Sequence, residues 1–533
     1  MIASLNSGAG AETAPRHQAQ HPAPQVLAAG ESIRFPLSLR SGDYIAGQVR
    51  AVGPAGPFLL QLQDGDGQML RQFEVGPSGA ARVFFVAGSD DEHLVAVSQG
   101  TAPATLVWQQ MHHIPAADQT GRPVTLDSPK LSALQAAIAA GQGVQQAIDQ
   151  FWQDRSAEGT PMLEPSERPG HQLVTFLWRG ATKNVRLWGG PSHDHTWMQQ
   201  LSGSDIWYAS FEVPDTARLS YGFAPDVPQF DGGARDNRVA LLATLQADPL
   251  NRHPLYPEAT DPFAQRSQLV LAAAPDQPGM VGPLPAVRGT VQRQMVTSAL
   301  LGNSRAVDVY TPPGFDPADP DTKLLVLFDG PSYQDARAPV PDILDRLITS
   351  GQLPPVVGLL VDPIDGAHRA RELPCNVTFN RFITEELIPG QEAQLGLSLS
   401  AADRVVSGSS FGGLASICLL QEQASVVGNA VAMSPSLWWA PPGHVPAAAG
   451  RPYVIERWMQ DSPAGVHLWM SAGTYEVGRR PGEVSILEPS RTLRDVMALR
   501  PEVQLTYREY VGGHDYLVWR GALAEGLLAL FGR

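Results

Sequence analysis

"VVSGSSFGGLAS", residues 405–416, sets two adjacent serines in a glycine-rich turn between an apolar run and a helical run. Gly408-Ser409-Ser410-Phe411-Gly412 fits G-x-S-x-G with Ser410 at its centre. The context that this motif requires is present, with the strand-like "DRVVSG" before it and the helix-forming "FGGLASICLLQEQ" after it. Glycine on either side lets the backbone turn sharply without a Cβ clash, which would hold the Ser410 hydroxyl above the end of a sheet. The Phe411 amide, at the start of the helix, is then a candidate oxyanion donor. A glycine turn with a packing hydroxyl is the plainer reading of such a pentapeptide alone, and the flanking pattern weighs against it.

A serine hydroxyl needs a base. In this fold class the partners follow in the order serine, acid, histidine. His514, in "REYVGGHDYLVWRG", sits in a glycine-loosened loop after the last strand-like run. His467 instead falls within the alternating "VHLWM", where packing explains it. Glu476 lies just past that strand and is the candidate acid, with Glu483, Glu488 and Asp461 as rivals. Asp515, beside His514, reads as structural. A second oxyanion donor is expected from "DGPSYQD" (329–335), where Pro331 has no amide and Gly330, Ser332 or Tyr333 must supply it.

Outward from this site the chain divides by pattern. Residues 1–25 read as a disordered leader of Ala, Gly, Pro and Gln. Period-two runs such as "FLLQLQD" and "RVFFVAG" predict a β-sandwich of unknown role over 26–125. A helical stretch around 130–154 and the Pro/Glu/Ser-rich "GTPMLEPSERPG" make a helix and linker over 126–165. "VTFLWRG", "NVRLWGG" and "IWYASFEV" predict a second, immunoglobulin-like sandwich over 166–275. From 285 to 533 apolar strands alternate with helices, as in a parallel sheet covered on both faces. The predicted architecture is α/β, with an α/β-hydrolase domain at the C-terminus after two sandwiches.

Acidic residues outnumber basic ones by 53 to 38 in 533, a formal charge of −15. That disfavours nucleic acid and anionic membranes as partners, and no apolar run is long enough for a transmembrane helix. The N-terminus lacks the basic and apolar regions of a secretory signal, so a cytoplasmic location is expected, or a periplasmic one should the true start carry a signal. Cys375 and Cys418 are expected to be free thiols. "SHDHTW" (192–197) and "MHHIP" (111–115) read as solvated histidines, and no metal site is expected.

The C-terminal half resembles the ferric enterobactin (enterochelin) esterase family. "LFDG", "HRARELPCN", "GSSFGGLAS", "SPSLWW" and "GGHDYLVWRGAL" occur in the family's order and approximate spacing, and "FWQD", "GTPMLEP", "VTFLWRG" and "DPLN" look like the domain preceding its hydrolase. The resemblance covers about residues 145–533. It implies hydrolysis of the trilactone esters of a catecholate siderophore by Ser410, His514 and Glu476, with iron entering as part of the substrate and no protein cofactor. For such a trianionic ligand Arg369, Arg371, Arg479, Arg480 and Arg520 offer cations, while Tyr333, Trp438, Trp439 and Tyr475 offer aromatic faces. A serine carboxylesterase acting on feruloyl or other acyl esters is the alternative, and a non-catalytic scaffold is a further one. A monomer or weak oligomer is expected.

Overall fold

The computed structural model describes residues 23–53, 55–116, 126–192, 195–445, 451–478 and 485–533. The leader expected at 1–25 therefore falls almost wholly outside the described residues, as do Arg479, Arg480 and Glu483.

Near the N-terminus two four-stranded antiparallel sheets enclose one core. One sheet runs in the order Gln25–Leu27, Ala104–Ile114, Tyr44–Ala51, Ala80–Val86; the other runs Ser32–Phe35, His93–Ser98, Phe58–Gln63, Met69–Phe73. Strict alternation brings this about: Phe58, Leu60 and Leu62 point inward with Val83, Phe85 and Trp108, while the residues between them face outward.

Two helices follow, Pro129–Ala139 and Val144–Glu158. The sequence reads as one helix here, but Gly141 and Gly143 adopt positive φ and break it. The expected linker is also partly wrong. Met162–Pro165 is a strand paired with His171–Arg179, so the chain enters the second sheet pair inside "GTPMLEP". Proline and glutamate signalled a loop, yet Met162 and Glu164 face inward at an edge position, where a strand tolerates proline at its end.

The second sheet pair comprises Gln199–Gln200, Ile206–Pro214, His171–Arg179 and Met162–Pro165 against His195–Trp197, Val185–Gly189, Arg218–Pro225 and Ser267–Val270. Phe176, Trp207, Tyr221 and Phe223 fill it. The helix Ala234–Thr244 emerges from this pair and lies between it and the N-terminal sheets.

Residues 290–510 build one eight-stranded sheet. Its strands are β1 (Thr290–Ser298), β2 (Asn303–Thr311), β3 (Lys323–Phe328), β4 (Val356–Val361), β5 (Arg404–Ser409), β6 (Asn429–Met433), β7 (Val466–Gly473) and β8 (Val503–Tyr510). Their spatial order is β1-β2-β4-β3-β5-β6-β7-β8, antiparallel through β1, β2 and β4 and parallel onward. Every residue of β4 and β6 is buried, which accounts for their unbroken apolar runs. One face carries the helix Phe411–Glu422, the other the helices Val340–Thr349 and Tyr516–Phe531. No helix among the described residues is long and apolar enough to cross a membrane.

Cys375 and Cys418 form a disulfide, not the two free thiols that their scarcity suggested. It ties the loop after the helix Gly366–Glu372 to the helix Phe411–Glu422. Composition says nothing of pairing when 43 residues separate the partners and only the fold brings their Cα atoms to 5.3 Å.

Candidate active site

β5 ends at Ser409, and the next residue turns the chain into the helix Phe411–Glu422. Ser410 occupies φ 59°, ψ −118°, a conformation costly for a residue with a Cβ. Three backbone hydrogen bonds fix it there: its amide donates to Met433 O at 3.0 Å, and its carbonyl accepts from Leu414 N and Ser436 N. The crossing is tight. A Cβ on Gly408 would lie 2.8 Å from the Gly412 backbone, so a glycine at 408 is what allows strand and helix to meet. The Ser410 Oγ lies 3.3 Å from the Ser436 Oγ.

Glu476 follows the end of β7 by three residues and is buried. Its Oε1 lies 2.5 Å from His514 Nδ1, and its Oε2 accepts the Gly473 amide. Its main-chain carbonyl accepts from Ile486 N and Leu487 N, so the backbone that carries the carboxylate is also fixed. With Nδ1–H donating to the carboxylate, Nε2 is left as the basic nitrogen. The imidazole stands edge-on to Trp519 at 4.7 Å, and Trp519 Nε1 donates to Ser434 Oγ. Of the rival acids, Glu488 and Asp461 are exposed. Asp515 instead caps the helix Tyr516–Phe531, accepting from Leu517 N and from the Ser220 hydroxyl.

Ser410, Glu476 and His514 line one cleft of about 600 Å³. Its far wall comes from the second sheet pair, through Trp188, Gly189, Leu219 and Ser220, and from the helix Ala234–Thr244, through Arg238. Arg238 stacks its guanidinium on Trp188 at 4.6 Å. Trp438, 41% exposed, and Tyr475 complete the aromatic lining. Burial pushes the Tyr475 hydroxyl up to about 12 and keeps it protonated at neutral pH.

Several sequence expectations fail at this point. Tyr333 is fully buried beneath Tyr516 and presents no face to the cleft. The Ser332 amide donates to Asp329 O at 3.0 Å, so it is spent and cannot hold an oxyanion. Trp439 packs on Tyr453 and the core. Arg371 is exposed, 3.8 Å from the Glu372 carboxylate, which the buried Arg305 pairs more closely at 2.7 Å. Arg520 is buried, donating to Gln277 and to Arg337 O. Arg369 makes a two-pronged bond to Asp329, 2.8 Å in each arm, and stacks on Phe411. It braces the two candidate oxyanion segments from behind. In "SHDHTW" His193 and Asp194 lie outside the described residues, and in "MHHIP" His113 bonds Asp43 at 2.8 Å. Sequence reasoning missed Trp188, Arg238 and Ser436. The one local hint was a tryptophan before a glycine pair in "NVRLWGG", which reads equally as a strand end.

Fold and cleft together define an ester hydrolase of the α/β esterase type. Residues 298–530 match the family model described as "Putative esterase", and residues 173–280 match that described as "Enterochelin esterase, N-terminal". The iron(III) enterobactin esterase of Dickeya dadantii is 30% identical over 450 residues, covering 78% of this chain and 96% of that relative. The iron(III) enterobactin esterase of Escherichia coli is 31% identical over 383 residues, 67% of this chain and 91% of its own length. A crystal structure of the Shigella flexneri enterobactin esterase, solved in the presence of enterobactin, is 29% identical and superposes with a TM-score of 0.56, covering 72% of this chain and 97% of that one. The chain belongs to the iron(III) enterobactin esterase family.

Proposed function

We propose that this protein hydrolyses the trilactone esters of a ferric catecholate siderophore of the enterobactin kind, with Ser410 as nucleophile. The observation that carries the reading is the buried Glu476 carboxylate bonded to His514 Nδ1 in the cleft that also holds Ser410. As Ser410 Oγ bonds to the lactone carbonyl carbon, its proton passes to His514 Nε2, and Glu476 stabilises the imidazolium. The carbonyl oxygen becomes an oxyanion facing the Phe411 amide. Gly330 is the second candidate donor, because a first-turn helix amide has no partner within its own helix. Collapse breaks the C–O bond, and Nε2 returns the proton to the departing seryl alkoxide. Water, deprotonated in turn by His514, then releases the acyl group from Ser410. Iron travels as cargo of the substrate.

The cleft suits such a ligand. Trp188, Trp438 and Tyr475 offer faces for catechol rings, and Arg238 offers positive charge within a chain of net charge −15. We read the sheet pairs as β-sandwiches, the second immunoglobulin-like, and the strand order of the large sheet as that of an α/β-hydrolase. The Cys375–Cys418 bridge favours an oxidising compartment such as the periplasm over the cytoplasm.

The test is chromatographic. Purified protein incubated with ferric enterobactin is expected to yield dihydroxybenzoyl-serine and its linear oligomers, and Ser410→Ala is expected to yield none. Vigorous turnover of feruloyl or simple aryl esters with an untouched siderophore would reject this substrate. Equal labelling of wild type and Ser410→Ala by a fluorophosphonate would reject the nucleophile.

A further inference from the structure

The sheet pair of residues 25–114 lies outside both matched family segments, 173–280 and 298–530, and none of the described cleft-lining residues comes from it. It does grip an element that reaches the cleft. The helix Ala234–Thr244 turns three faces to three surroundings. Val239, Ala240 and Ala243 pack into a cluster with Tyr44, Ala46 and Phe84 of the N-terminal sheets and with Phe230, just before the helix. Leu241 and Leu242 pack with Ala224 and Val227 on the second sheet pair. Arg238 points its guanidinium over Trp188 at the cleft wall.

The end of this helix is held by one side chain. Arg71, 8% exposed, donates through Nη1 to Ala243 O and to Phe84 O, each at 2.8 Å, and through Nη2 to Leu242 O. It thus ties two last-turn carbonyls of the helix to a strand of the N-terminal sheets, where a cation also meets the negative end of the helix dipole. Phe73, Phe84 and Phe263 surround the guanidinium at 4.6–5.2 Å. Burial lowers its pKa only to about 10, so it keeps its charge at neutral pH. Near the start of the helix, Asp236 Oδ1 lies 3.6 Å from His112 Nε2 of the N-terminal sheets. The Arg71 clamp at one end, the His112–Asp236 contact at the other and the apolar seam between them set the axial position and rotation of the helix, and with them the position of Arg238.

We propose that the N-terminal sheet pair is a positioning module for the cleft, holding the helix Ala234–Thr244 so that Arg238 selects substrates carrying negative charge. Arg238 is the specificity residue and Arg71 a positioning residue that acts through it. The inference rests on the reading of this cleft as the substrate site.

The test uses full-length protein and two esters with one leaving group, the anionic p-nitrophenyl hemisuccinate and the neutral p-nitrophenyl butyrate. Arg238→Gln is expected to lower the anionic-over-neutral ratio of kcat/KM about tenfold, the loss of one charge-assisted contact, mainly through KM. Arg238→Lys is expected to recover part of it. Arg71→Met should lower the same ratio several-fold, again through KM, and the double variant should be no worse than Arg238→Gln alone, because both act along one path. Asp236→Asn, a milder change should Arg71→Met fold poorly, is expected to move the ratio in the same direction. A ratio unchanged in Arg238→Gln overturns the proposal. So does an Arg71→Met effect that falls equally on both esters, or that adds in full to Arg238→Gln. If these ratios behave as expected while wild type leaves ferric enterobactin intact, the siderophore reading fails and the positioning role stands. If the siderophore is cleaved and the ratios do not move, the positioning role alone fails.

Discussion

The two walls of the cleft are made differently. On one side Ser410, Glu476 and His514 follow the ends of β5, β7 and β8 of the large sheet, each within a few residues of its strand. On the other, Trp188 and Arg238 arrive from a separate sheet pair and from a helix trapped between two bodies. The first wall is fixed by backbone geometry that a short motif can encode. The second is fixed by docking, and its residues have no local signature. Chemistry is written on the near wall, selection on the far one.

Four substitutions can break or sharpen that contrast. Ser410→Ala, on the near wall, should lower kcat by at least about 10⁴-fold for every ester alike, measured by steady-state kinetics. Glu476→Gln should cost about 10³-fold or more in kcat with little change in KM, because the carboxylate holds the imidazole tautomer and compensates its charge. If instead Glu476→Gln raised KM alone, the assignment of chemistry to this wall would fail. Trp438→Ala, at the junction of the walls, should raise KM for a catecholate ester several-fold and leave kcat nearly intact, as loss of one stacking face would.

The smallest effect concerns Asp308, which anchors the loop behind the near wall. Arg293 binds its carboxylate at 2.8 Å in both arms, and Gln334 of the 330–334 turn donates to the same group. The Arg293 hydrogen bond holds its pKa below the ordinary carboxylate value. A lowered pKa means that the stabilisation is complete above the unfolded value and disappears as pH falls through the folded one. Urea midpoints of wild type and Asp308→Asn should therefore differ at pH 6 by an amount worth about 1 kcal/mol or less and converge below about pH 4. A gap that widens in acid would contradict the assignment.

The same contrast explains how far the sequence could be read. Ser410 was legible because Gly408 is demanded by a crossing that no larger residue could make there. His514 and Glu476 were legible because β7 reads as an apolar run, β8 reads as a β-prone run and the chain order supplies the roles. The arginines and aromatics were not. A guanidinium looks alike in sequence whether it pairs Asp329, as Arg369 does, or faces a cleft, as Arg238 does. Tyr333 and Trp439 went astray because a large ring near a strand end is usually core. The linker failed at Met162–Pro165 because pairing with the next strand, His171–Arg179, overrode the local proline signal. The disulfide failed because proximity is a property of the fold.

The backbone of Ser410 has a consequence of its own. At φ 59° and ψ −118° a second substituent on Cβ adds to the strain that serine already carries, so threonine is disfavoured although it offers the same hydroxyl. Cysteine, unbranched, fits the bend and would present a thiol at the same point. The turn thus filters its occupant by shape before reactivity is consulted, and the interchange that looks mildest on paper is the one the main chain resists.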